Sequence, residues 1–227
     1  MMGYDAAMKR HLQGLKALRG KAATAPERLH ETKRFQSERL ARSYADLAAQ
    51  PRYRAATGFF LDDLYGPKDF SARDKAMMRI APLMARILPA SAVQTAAHAI
   101  ELEALSEDLD HRLAVALPPG PIDDAAYAEA YRQSSTRAER ERQVELIVAV
   151  GKRLDELVKK PLVHRTLRLM RQPARVAGLT DLQEFLERGF EAFRDMQGAD
   201  EFLEQVRSRE MQILNRLFSG APRPFSL

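Results

Sequence analysis

The sequence predicts an all-α protein, a compact multi-helix bundle of about ten helices packed orthogonally and antiparallel. Three observations carry that expectation. Apolar residues recur with a helical period along most of the chain. Ser or Thr followed three residues later by an acid or glutamine, the spacing that satisfies two orphan donors at a helix start, occurs at Thr24–Glu27, Ser71–Asp74, Ser91–Gln94, Thr136–Glu139 and Thr180–Gln183. No stretch alternates apolar and polar residues with β-branched enrichment, so no strand is expected.

In chain order the helices are expected at 5–19, 25–49, 51–65, 72–88, 92–117, 124–133, 137–158, 161–172, 181–196 and 199–218. The second opens on the Thr24 cap with Pro26 in its first turn, where a missing N–H costs nothing. Gly66-Pro67 closes the third, and Ser71 restarts the chain as the cap of the fourth, which Pro82 should kink or split. The fifth follows Ser91 and ends before Pro118-Pro119-Gly120-Pro121, the strongest break in the sequence. Thr136 caps the seventh. Pro173 bounds the eighth, Gly178 precedes the Thr180 cap, and Gly198 and Gly220 end the last two helices.

Three apolar stripes define the expected core: Leu182, Leu186, Gly189, Phe193 and Met196, flanked by Phe185 and Phe190; Val144, Ile147, Val148, Gly151, Leu154 and Val158; and Phe202, Val206, Ile213, Leu214 and Leu217. Gly151 and Gly189 would let helix backbones approach closely. With 227 residues the chain can bury a self-sufficient core, and it is read as one domain, 1–227, with a flexible N-terminal stretch of about 20 residues and a flexible tail at 220–227.

Composition narrows the function classes. There is no cysteine, which excludes disulfides, thiolate zinc sites and cysteine nucleophiles and fits a cytoplasmic protein. No apolar run approaches the roughly 20 residues of a membrane span, and no signal-peptide core is present. The formal charge is +5, from 36 Lys plus Arg against 31 Asp plus Glu. That value hides segregation: residues 1–54 carry 12 basic and 5 acidic groups, residues 101–130 carry 1 and 8, and residues 131–180 carry 12 and 5. Pairing of these blocks within the molecule is the expected use.

The runs Gln36–Leu47, Pro51–Tyr53, Phe59–Phe70 and Ser71–Asp74 resemble an uncharacterised bacterial family known by its FFLEELY motif, here with Asp62 and Asp63 in place of glutamate. The likeness continues through Glu101–Asp110, Arg140–Gln143, Met170–Ala174, Phe185–Glu187, Ala192–Arg194 and Arg209-Glu210, nearly the whole chain. The resemblance implies helical character and no assigned activity. Read physically, the motif puts Phe59, Phe60 and Tyr65 at a helix end, with Asp62 and Asp63 towards solvent. Tyr65 would offer a polar hydroxyl to any aromatic-lined pocket.

Candidate chemistry is sparse. Of the five histidines, Glu27–His30 and, loosely, Asp108–His111 match di-iron spacing, but the second glutamate–histidine pair is missing and no metal site is expected. His98 shares a face with Leu102, Leu105 and Leu109, with Glu101 three residues on; a buried histidine tied to a carboxylate or carbonyl is expected, and an axial haem ligand is the sharper alternative. Glu210 falls on an apolar face and should be partnered, by an arginine, or have a raised pKa. Lys160, His164, Arg168, Arg171 and Arg175 form a basic stripe if the helix continues past Pro173, with Lys159 and Arg165 at its edge. Nucleic acid, an anionic metabolite or a membrane surface could bind there, although no helix-turn-helix or aromatic interleaving accompanies the stripe and the acidic 101–130 block could neutralise it. No phosphate-binding glycine loop and no Gly-x-Ser-x-Gly elbow is present. The resulting reading is a non-catalytic binding or interaction protein, with a protein partner or homodimer as its expected company. The alternatives are a haem or small-ligand sensor built on His98 and an anion or nucleic-acid binder built on the 160–175 stripe. Tyr65, His98, Glu101 and Glu210 are the ligand-pocket candidates.

Overall fold

The computed structural model describes residues 26–64, Ala76 and 90–226. Nine α-helices and one π-helical turn occupy them: α1 Pro26–Ser43, α2 Ala45–Ala49, α3 Pro51–Phe59, the π-turn Phe60–Leu64, α4 Ala90–Ala116, α5 Asp124–Ser134, α6 Arg137–Val158, α7 Pro161–Val176, α8 Thr180–Met196 and α9 Asp200–Ser219. No strand occurs among the described residues. The expected helices at 5–19 and 72–88, the Thr24 and Ser71 caps, Pro82 and Tyr65 lie outside them.

The termini follow local chemistry where a side chain can reach the backbone. Thr136 and Glu139 form a complete capping box at α6, and Asp123 accepts from Ala126 N at 2.8 Å to start α5. The box expected at Thr180 does not form. Thr180 is the first residue of α8, and Leu179 stands before it with no side-chain cap. Gln183 instead donates to Leu167 O and Glu187 Oε1, both at 2.7 Å, which ties α8 to α7. Nor does Pro173 end α7, which runs on to Val176. Gly220 (φ 73°) caps α9 in the left-handed region, and Gly198 (φ 118°) follows Gln197 (φ 55°) after α8.

Two interruptions fall inside helices expected to be continuous. The helix expected over 25–49 breaks at Tyr44 (φ −119°, ψ 14°), separating α1 from α2. The break frees the Ser43 carbonyl, which accepts from Arg209 Nη1 at 2.8 Å. The helix expected over 51–65 gives way to the π-turn after Phe59, the kind of local widening that re-aims side chains. Asp63 is turned inward there and is buried, with a two-point pair to Arg188 at 2.8 and 3.1 Å, so it is not the solvent-side group expected. Asp62 is exposed as expected.

Helix α6 is the hub, packed against α4, α9, α8 and α7, while α9 also meets α5 and α8 also meets α3. Both close approaches occur at glycine. A Cβ on Gly151 would lie 2.5 Å from Leu203 Cδ2, and one on Gly189 would lie 2.8 Å from Phe59 Cζ. The apolar stripes enter two clusters, one centred on Leu47, Phe193, Met196, Phe202 and Leu203, the other on Leu113, Tyr127, Ile213 and Leu217. Leu186 departs from its stripe and is 39% exposed. The segment after Gly220 folds back on the body: Pro224 is buried and the Phe225 ring packs 5.7 Å from Tyr127 and 6.3 Å from Phe35.

Gly189→Ala is expected to lower unfolding stability by about 1–2 kcal/mol, because overpacking against the rigid Phe59 ring outweighs the gain in helix propensity. A chemical-denaturation comparison reads this directly, and Phe59→Leu in the same background should recover part of the loss.

Candidate functional site

Between the two core clusters lies a cavity of about 100 Å³. It is bounded by α1, α3, the π-turn, α4, α5, α6 and α9, with Leu40, Val144, Ile147, Val206 and Leu214 among its apolar walls. Its polar groups form three sets.

The first is built on Glu210. Its Oε1 accepts from Arg39 Nη1 at 2.7 Å and from the Tyr44 hydroxyl at 2.8 Å. The break at Tyr44 thus stands where α1 and α9 are joined by a buried ion pair. Burial pulls Arg39 towards neutrality, but the charge and hydrogen bond of Glu210 more than reverse this and keep it protonated. Burial, reinforced by Glu210, keeps the Tyr44 phenol protonated as well.

The second set is Asp110 on α4. Its Oδ1 accepts from Gln36 Nε2 at 2.9 Å. Burial pushes its carboxyl up to about 6, against the opposing pull of Lys33, Gln36 and Arg140. Next to it Lys33 Nζ binds Glu107 at 2.7 Å, and His111 stands 3.8 Å from the same carboxylate.

The third set is Arg140 on α6, 4% exposed. Its Nε donates to Ser135 Oγ at 3.0 Å, its Nη1 to Gln143 Oε1 at 3.2 Å, and its guanidinium lies 4.2 Å from the centre of the Tyr131 ring. It makes no ion pair among the described residues. Its Nη2 is buried without an acceptor, as are Arg39 Nε and Thr57 Oγ1, all three on residues that line the cavity. Such groups are costly to bury unmet.

Of the four ligand-pocket candidates read from sequence, the cavity contains Glu210, with the arginine partner expected of it. Tyr65 lies outside the described residues. Glu101 is not bound to His98: its Oε1 accepts from Arg142 Nε and Nη2 of α6 at 3.0 and 2.7 Å. His98 is half-buried with an unpartnered Nδ1 and lines neither this cavity nor the outer cleft described below. The charge blocks do pair internally, through Lys33–Glu107 and Arg142–Glu101.

The basic stripe is divided. Lys160, Arg168 and Arg175 are exposed. His164 stacks on Phe190 of α8 at 5.3 Å with rings 7° apart. Arg171 makes a two-point pair with Glu187 at 2.7 Å, so α8 rather than the acidic 101–130 block neutralises it. Leu162, Leu169 and Val176 of α7 remain exposed.

Arg140 and Asp110 were not singled out from sequence, although a signal existed. Arg140 precedes Val144, Ile147 and Gly151 at steps of four, three and four, which places it on the buried stripe of α6. Asp110 stands three and seven residues before Leu113 and Leu117 on the buried side of α4. Thr57 had no such mark. On the outside a cleft of about 750 Å³ runs past Arg42, Asp46, Arg209 and Phe225, and Arg39 lines both it and the interior cavity.

Fold and site together define an all-α protein with a small, largely apolar cavity carrying a few polar groups at the seam of two apolar clusters. The chain belongs to the family described as a domain of unknown function (DUF8198), whose model matches residues 16–224. No curated protein and no solved structure matches it. Among the described residues no helix is long and apolar enough to cross a membrane, and no group of three or more His, Asp or Glu side chains could hold a metal ion.

Two outcomes test this account of the site. The folded-state pKa of Asp110 lies above the 3.8 of a free carboxyl, so its stabilising contribution is complete below about pH 4 and is lost as pH rises through about 6. Asp110→Asn should therefore raise stability at pH 7.5 by about 1–2 kcal/mol and leave it nearly unchanged at pH 4, read from thermal melts across that range. Glu210→Ala, which strands the Arg39 charge, should cost about 3–5 kcal/mol in urea unfolding, and Glu210→Gln should cost less.

Proposed function

We propose that this is a non-catalytic binding protein whose ligand occupies the interior cavity. The observation that carries the reading is Arg140, a buried guanidinium with no ion pair among the described residues and with an unanswered Nη2 at a cavity wall. Buried charges are ordinarily paired, so a site of this kind calls for a counter-group from outside the protein. The carboxyl groups there serve as fixed partners: Glu210 is held by two donors and Asp110 by Gln36. That arrangement favours holding a molecule over turning one over.

The haem alternative draws less support. His98 does not line the cavity, and about 100 Å³ is far below what a macrocycle occupies, given that a 150 Å³ cavity takes one benzene. The anion reading of α7 is weakened because His164 and Arg171 are engaged by α8. The family resemblance and the lack of cysteine support a bacterial, cytoplasmic setting.

The test is methyl NMR of Ile-, Leu- and Val-labelled protein against a panel of neutral and charged compounds of about four to six heavy atoms. Saturable shifts at Ile147, Val206, Ile213 and Leu214 are expected for at least one of them. A panel that perturbs only exposed methyls such as Leu162 and Leu169, or none at all, overturns the reading.

A further inference from the structure

Resting on that reading, we infer that the cavity's ligand is a short-chain monocarboxylate, held by Arg140 through its free Nη2. Size, polarity and charge each narrow the choice to this class.

A volume of about 100 Å³, set beside the 150 Å³ that accommodates benzene, corresponds to roughly four to five heavy atoms, an acid of about two or three carbons. The unmet groups on the cavity's lining residues are Arg140 Nη2, Arg39 Nε and Thr57 Oγ1. Two are obligate donors and the third is a hydroxyl that can donate, so the missing partner is an acceptor. A carboxylate offers acceptor oxygens of this kind, one of them for the free Nη2 of Arg140, in a charge-assisted bond. Leu40, Val144, Ile147 and Val206 supply the apolar wall for an alkyl tail.

The charge count selects one negative charge. Arg39 is neutralised by Glu210 in direct contact, which leaves Arg140 as the cavity's unmatched cation whenever Asp110 is protonated. A phosphate dianion would bring a second charge into a space already holding two carboxyl groups, at a desolvation cost that a single guanidinium does not offset.

Asp110 makes the site responsive to pH. It lines the same cavity and feels Arg140 without contacting it. The charged and titratable groups around it are Lys33 and Arg39 on α1, Glu107 on α4, Tyr127 on α5, Arg140 on α6 and Glu210 on α9. When Asp110 is ionised it supplies Arg140 with a countercharge and repels an incoming anion. When it is neutral Arg140 is left for the ligand. Affinity for a carboxylate therefore rises as pH falls through about 6.

The experiment titrates carbon-13-labelled propionate into the full-length protein at pH 5.5 and 7.5, with propionamide and inorganic phosphate as parallel probes. Propionate should bind about ten-fold tighter at the lower pH. Asp110→Asn should flatten that difference, whereas His111→Gln, a neighbouring control, should keep it. Thr57→Val should weaken propionate by about three- to ten-fold, and Arg140→Gln should abolish binding. If Arg140→Gln fails to fold, Thr57→Val and the pH profile still decide. Propionamide binding as well as propionate, phosphate binding better, or indifference to Thr57→Val and to pH overturns the carboxylate assignment while leaving a ligand cavity standing. If no probe binds and the methyl panel is also silent, the cavity holds water only and both readings fall.

Discussion

The buried carboxylate of Glu210 is the constraint on which the arrangement around the cavity depends. One oxygen, Oε1, receives both Arg39 and Tyr44, so the last described helix is fastened to the first at two successive turns. A charge so placed is tolerated only because both bonds are made. The chain departs from helical geometry at Tyr44 itself, and the carbonyl released there is taken up by Arg209, the residue preceding Glu210. Glu210 and Arg209 thus secure the two sides of one break. Beyond that break α2 carries Leu47, and α3 carries Tyr53, into the first core cluster.

The cavity follows from how the remaining apolar surface is divided. Leu40, Ile147, Phe202 and Val206 belong to one cluster, Tyr127, Tyr131, Ile213 and Leu217 to the other, and side chains from both face the gap. Helices of fixed diameter crossing at several angles do not fill such a seam with apolar groups alone, and here it is completed by tyrosines, glutamines and two arginines. The tyrosine rings keep the walls largely apolar: Tyr131 lies against the Arg140 guanidinium and Tyr127 stacks on Phe35 at 4.8 Å. Rigid walls of this kind hold their few donors preorganised before any guest arrives.

Much of the fold was legible from sequence because its signals are local. The boundaries of α6 were read as 137–158 and found there, since Thr136 and Glu139 need only each other to form the cap. Thr180 carried the same pattern and failed, because Gln183 found better acceptors on α7 and in Glu187. The break at Tyr44 had no glycine or proline to announce it, and Gly58, two residues before the π-turn, sits inside a helical pattern; the two coincide with the contact of Tyr44 to Glu210 and the aromatic contacts of Phe59 and Phe60, made across the fold. The site divides the same way. That Glu210 required an arginine followed from its place on an apolar face, but which arginine did not. Arg140 sits in the run Ala-Glu-Arg-Glu-Arg-Gln, where charge reads as solvent exposure until its register with Val144 and Ile147 is counted. Glu101 illustrates the converse: a plausible neighbour three residues from His98 lost to an arginine on another helix.

The fastening of α1 has a consequence for the order in which the chain acquires its structure. Its side-chain bonds to α4 span 74 residues and that to α9 spans 171. Closing loops of that length is entropically expensive and slow. The α4–α6 and α6–α9 pairs, drawn from nearer segments, can assemble first, leaving α1 to dock last on a preformed surface. Its amide protons should then be the earliest to exchange with solvent, and the cavity it closes should breathe with it.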